Sequence, residues 1–115
     1  TYNVRAKDKK EAEQVEKDAT LLQNLGCFAL VLEKIPASLA NQVAKSISIP
    51  VIGIGAGSQV DGQVLVMHDM LGINVDFNPR FIRKYANLNE IIDSAVKNYI
   101  TDVQSGNFPS IHEQY

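Results

Sequence analysis

The chain has 115 residues, a net charge of −2, 45% apolar residues and 21% charged residues. That length suffices for one small domain with its own core, and the balance is that of a globular protein. The slight acidity gives no electrostatic case for a nucleic-acid or membrane partner, and no apolar run nears the ~20 residues of a membrane span.

The chain opens on Thr1 without an initiator Met, and its first residues do not read as a signal peptide. The segment from Tyr2 to Ala6 alternates weakly, as the stub of a strand does. Lys9–Lys10 is too short for a basic patch and reads as a solvated helix start. Asp8 offers an N-cap side chain and Glu11 follows three residues later, the pattern of a capping box. Ala12, Val15, Ala19 and Leu22 recur at helical spacing and Gly26 supplies a stop, so a helix is expected over about 9–25. Cys27 is the single cysteine, which excludes an internal disulfide, and no Cys/His set has zinc spacing. With no base in view, it reads as a buried structural thiol in a reducing cytoplasm.

Cys27 to Leu32 is an unbroken apolar run ending at Glu33-Lys34. Such a run suits a strand buried on both faces of a parallel sheet. Pro36 opens a helix whose apolar face is Leu39, Ala40, Val43, Ala44 and Ile47. Ile49 to Ile54 is a second buried strand, running into Gly55-Ala56-Gly57. Asp61 then reads as the cap of a helix carrying Val64, Leu65, Met67, His68 and Leu71 inward, stopped by Gly72. Residues 73–78 read as loop, 79–85 as a short helix opened by Asn78-Pro79, and Asn87 with Glu90 as the cap of a last helix. That helix presents Ile91, Ile92, Ala95, Val96, Tyr99 and Val103 and ends near Gly106, ahead of a polar, loosely ordered tail over 107–115. No linker or repeat divides the chain. Strands alternating with amphipathic helices indicate parallel β/α units. So few strands, apolar on both faces, need neighbours, which points to part of a larger β/α structure with exposed strand edges.

Three places carry candidate chemistry. Glu33 closes the first apolar strand, where β/α barrels keep their active sites, and apolar flanks would desolvate it and raise its pKa toward that of a useful base. A surface carboxylate paired with Lys34 fits its position equally well. Gly53-Ile54-Gly55-Ala56-Gly57 could bring backbone close to an anion. It lacks the full dinucleotide fingerprint and a P-loop lysine, and tight strand-to-helix packing explains it as well. His68-Asp69 reads as a packed histidine beside a solvent-facing aspartate. His112 lies in the polar tail, and Phe108-Pro109 and Tyr115 there are either docking residues for another subunit or disordered.

Three stretches are familiar in combination: Leu30 to Pro36, Ile49 to Gly57, and Asp61-Gly62-Gln63-Val64-Leu65-Val66-Met67-His68-Asp69. With Gly72-Ile73 and the closing Ser105 to Pro109, the chain resembles the ketopantoate hydroxymethyltransferase (3-methyl-2-oxobutanoate hydroxymethyltransferase) family along essentially its whole length. The resemblance implies an α/β fold: the C-terminal portion of a (β/α)8 TIM barrel, with strands 7 and 8 near 28–33 and 50–54, plus C-terminal helices. Residues 1–115 then form a single partial domain. It implies transfer of a hydroxymethyl group from 5,10-methylenetetrahydrofolate to 2-oxoisovalerate, giving ketopantoate in pantothenate synthesis. Glu33 is then the general base, with Ile52, Gly53, Ile54 and Gly55 as substrate contacts. It implies Mg2+, held by ligands in an N-terminal part absent here, a homo-oligomer such as a decamer, and a cytoplasmic enzyme. The alternatives are an inactive half-barrel, or an unrelated β/α protein holding phosphate at Gly53–Gly57.

Overall fold

The structure, a computed structural model, describes residues 3–115, so Tyr2 of the expected strand stub lies outside the described residues. The chain divides into two compact units, Thr1–Leu65 and Val66–Tyr115.

The first unit holds α1 (Lys9–Asn24), β1 (Leu30–Glu33), α2 (Ala37–Ser46), β2 (Val51–Ile54) and β3 (Gly62–Gln63). The α1 start follows the expected chemistry in part. Asp8 accepts the Glu11 N–H at 2.9 Å, but the Glu11 carboxylate takes the Ala6 N–H instead of closing the box. At the far end, the Cys27 N–H donates to Leu22 C=O and the Gly26 N–H to Gln23 C=O, the paired bonds of a Schellman stop. Residues 3–6 form no strand, although the Arg5 N–H donates to Lys34 C=O in a strand-like bond.

The sheet is parallel, in the order β1-β2-β3. Leu30 pairs with Val51, Val31 with Ile52, Leu32 with Gly53 and Glu33 with Ile54. One face is covered: Leu30, Val51, Leu39, Ala40, Val43 and Ala19 join the core, with Leu32, Ala12 and Val15 packed against it. Val43 and Val51 are fully buried, and removal of such side chains from water contributes about 1.5–3 kcal/mol each. The other face is bare. Val31 is 64% exposed, and Phe28, expected inside the strand, is 89% exposed in the loop before it. Cys27 is likewise half-buried rather than buried. Strand β1 is thus shorter than the apolar run: the Cys27 N–H is taken by the stop of α1, and the ladder to β2 begins with the Leu30 N–H donating to Pro50 C=O.

The stretch expected to form a helix from Asp61 onward instead begins as β3. Parallel neighbours usually need a crossover of a dozen or more residues, whereas β2 and β3 are separated only by residues 55–61. The span is feasible. Seven extended residues reach about 23 Å, over twice the ~10 Å needed to return along a four-residue strand. Gly57 makes the turn close-packed: its φ is +84° and a Cβ there would collide with the Ala37 Cβ at the start of α2.

The second unit holds α3 (Met67–Met70), α4 (Leu88–Ser105) and a 3-10 turn at Ile111–Glu113. Helix α3 is a single turn, so its phase is set locally and not by a helix running from residue 61. This reverses the expected facing: His68 is exposed, while Asp69 is 6% exposed and accepts the Asn74 side-chain N–H at 3.1 Å. The expected helix over 79–85 is only a turn, marked by Ile82 N–H donating to Pro79 C=O. Asn87 is the α4 N-cap, but its side chain makes no cap hydrogen bond. The first free N–H groups of α4 are met by backbone instead: Leu88 N–H donates to Leu71 C=O and Asn89 N–H to Gly72 C=O. In the closing segment Phe108 meets Tyr99 edge-on at 5.6 Å. Ser110 and Glu113 form a capping box, and the Ser110 N–H and hydroxyl hold the Glu113 carboxyl below its usual range. Every buried apolar side chain among the described residues belongs to the first unit, and Ile91, Val96, Tyr99 and Val103 on α4 are all exposed.

Gly72 joins α3 to α4 at a φ of +67°, and a Cβ there would strike the Ala86 carbonyl oxygen. Gly72→Ala is expected to destabilise the protein by about 1–3 kcal/mol, through strain and the broken cap on α4. Chemical denaturation monitored by circular dichroism measures the shift.

Candidate functional site

Glu33 is the last residue of β1, at the C-terminal end of a parallel sheet. Side chains alternate along a strand, so Glu33 shares a face with Val31 and, through the register, with Ile52 and Ile54. This is the bare face. A carboxylate at the strand end, bordered by three branched apolar side chains, is the arrangement that the sequence led us to expect. The desolvation is not: Glu33 is exposed.

The Gly-rich stretch separates into two roles. Ile52 and Ile54 lie on the Glu33 face, half-buried. A Cβ on Gly53 would point the other way, meeting Val60 at 3.0 Å and the Gln63 side chain at 3.4 Å, and its carbonyl accepts the Val64 N–H. Gly55 has a φ of +64° and begins the turn. The Gln63 amide donates to the Gly57 carbonyl at 2.8 Å, so that carbonyl is engaged within the loop. Close packing on Ala37 and Gln63 accounts for these glycines, and the phosphate reading is not favoured.

Asp61 caps no helix. Its carboxylate accepts the Val51 N–H at 2.8 Å while its own N–H donates to Val51 C=O. The pair fastens β3 to the start of β2 and fixes the register that sets Gly62 beside Ile52. His68 and Asp69 belong to the second unit. His112 is exposed. No group of three or more His, Cys, Asp or Glu side chains among the described residues could hold a metal ion. No helix among them is long and apolar enough to cross a membrane.

The backbone conformation of Lys34 escaped the sequence reading. Its φ is +53°, a left-handed backbone that costs a non-glycine residue about 1–2 kcal/mol. Lysine gives no local signal for that conformation, which only the contacts around it reveal.

A mixed α/β chain with a small parallel sheet and a carboxylate at a strand's C-terminal end is the general form of a β/α enzyme fragment. The profile of the family described as ketopantoate hydroxymethyltransferase matches residues 1–111, and the chain belongs to that family. The 3-methyl-2-oxobutanoate hydroxymethyltransferase of Porphyromonas gingivalis is 68% identical over 115 residues, all of this chain and 42% of that protein. The proteins of the same name from Christiangramia forsetii and Chlorobium luteolum are 62% and 56% identical over the same span. The chain thus spans well under half the length of these relatives.

Asp61→Ala removes the charged acceptor of a part-buried backbone N–H. It is expected to cost about 1.5–3 kcal/mol and to weaken hydrogen-exchange protection at Val51, with Asp61→Asn costing less. Exchange followed by mass spectrometry or NMR at Val51 measures it.

Proposed function

We propose that this chain is the C-terminal portion of a 3-methyl-2-oxobutanoate hydroxymethyltransferase, folded in the complete enzyme as about the last two strands of a (β/α)8 barrel with their helices, and that Glu33 is its general base. The observation carrying this reading is the position of Glu33: the C-terminal end of a parallel strand, on the sheet face left bare, beside Val31, Ile52 and Ile54. A barrel interior is lined by such a face, and barrel active sites sit at that end of the strands. Membership of the family and the names of its relatives supply the reaction.

On this reading both units belong to one domain that the chain holds in part. The bare face is covered by the rest of the barrel, which desolvates Glu33 and strengthens it as a base. Its carboxylate takes the proton from C3 of 2-oxoisovalerate. The carbon left electron-rich attacks the methylene carbon of 5,10-methylenetetrahydrofolate; a C–C bond forms, both C–N bonds of the methylene break, one water supplies the hydroxyl oxygen, and ketopantoate and tetrahydrofolate leave. Ile52 and Ile54 line the pocket with side chains, and Gly53 and Gly55 with backbone. Together with Val31 they form an apolar wall beside the carboxylate. The Mg2+ of the family finds no ligand set among the described residues. Its ligands are assigned to the N-terminal part, which is therefore this chain's partner within one cytoplasmic homo-oligomer, a decamer on the family pattern. The chain alone is an idle half-site.

Steady-state turnover of 2-oxoisovalerate tests the assignment. In the full-length enzyme, Glu33→Gln is expected to lose about 10²–10⁴-fold in kcat while retaining Mg2+ binding, and this chain alone to show no turnover. Near-normal rates for Glu33→Gln would remove Glu33 as the base.

A further inference from the structure

We propose that Lys34 and Glu11 are positioning residues for Glu33, clamping the backbone next to the base so that its carboxylate keeps one direction. The proposal rests on the reading of Glu33 as the base.

Lys34 and Ala6, each with a φ of +53°, are the described residues other than glycine with a left-handed backbone. Such a conformation persists only where the surroundings over-determine it. Both sides of Lys34 are pinned. Its N–H donates to Ile54 C=O at 2.9 Å, and its C=O accepts the Arg5 N–H at 3.0 Å. Ile54 is itself the register partner of Glu33. The clamp is anchored in turn by the first turn of α1. The Glu11 carboxylate accepts the buried Ala6 N–H at 2.7 Å and the Arg5 guanidinium at 3.0 Å. The Arg5–Glu11 ion pair is exposed and contributes little by itself. The Ala6 bond is part-buried, and it fixes the segment that reaches Lys34.

The two strained residues therefore sit on one continuous path, from Glu11 through Ala6 and Arg5 to Lys34 and Ile54. At Lys34 the left-handed turn ends β1 and leaves Glu33 as its last residue. A glycine would adopt the same φ without strain, but it would also allow the other conformations that the lysine excludes. A base must meet its proton within hydrogen-bond reach, so a looser backbone at this point lowers the rate of proton removal and leaves substrate binding intact.

Variants of the full-length enzyme separate these effects, with Tm, kcat and KM measured for each. Lys34→Gly relieves the strain, so its Tm is expected to match or exceed the parent's, while kcat falls about tenfold and KM stays within about twofold. Lys34→Asn removes the ammonium but keeps a residue at ease in the left-handed region, and it is expected to retain most of kcat. Glu11→Ala is expected to lower kcat in the same way as Lys34→Gly. Parent-like kcat in Lys34→Gly would overturn the proposal. So would an equal loss in Lys34→Asn, which would assign the effect to the lysine charge. Glu33→Gln is run alongside. If it turns over normally, the base reading fails and the clamp with it. If it collapses while Lys34→Gly and Glu11→Ala keep their kcat, only the clamp fails.

Discussion

The structure turns on a sheet that is apolar on both faces and covered on one. Strands β1 and β2 send Leu30 and Val51 into a core closed by α1 and α2. On the opposite face Val31 is 64% exposed, and Glu33 is exposed beside it. A surface of this kind is unfavourable in water, and short parallel strands are normally covered on both sides. The same imbalance recurs in the second unit, where α4 presents Ile91, Val96 and Tyr99 and buries none of them. Both facts agree with a chain that spans 42% of its relatives.

Within the first unit, local bonds substitute for missing layers. Asp61 fastens β3 onto Val51, Gln63 holds the Gly57 carbonyl, and Glu11 ties the segment before α1 to the end of β1. The Asp61 tie holds the start of β2, while the Arg5 N–H, next to the Ala6 that Glu11 holds, reaches Lys34 just past Glu33 at the other end. Both ends of the sheet are thus fastened, the end that bears the candidate base by the Lys34 N–H to Ile54 C=O and the Arg5 N–H to Lys34 C=O. Such fastening is what a catalytic carboxylate requires if its oxygen is to meet a proton at a defined distance.

Much of this was legible in the sequence. Helices α1, α2 and α4 announced themselves through apolar period and stop residues, and their bounds fall within a residue or two of expectation. The buried strands were legible as apolar runs, although Cys27 to Ala29 proved to be loop, the Cys27 N–H being taken by the stop of α1. The stretch from Asp61 misled for a physical reason. Val64, Leu65, Met67 and Leu71 do recur at helical spacing, yet Gly62 and Gln63 gain more by pairing with β2, and β-branched Val60, Val64 and Val66 favour extended backbone. The same shift reversed His68 and Asp69. Glu33 was visible because strand ends are where β/α chemistry sits. Its exposure was not, since burial depends on what packs over a face and not on residue type, and the left-handed Lys34 has no signature in residue type either.

The central claim is that Glu33 removes a proton from C3 of the oxo acid, and isotope exchange tests it without the rest of the reaction. The full-length enzyme is incubated with 2-oxoisovalerate in deuterated water without the folate donor, and loss of the C3 proton signal is followed by NMR. The account predicts exchange with Glu33 in place and its loss with Glu33→Gln. Exchange at an undiminished rate in that variant would contradict it.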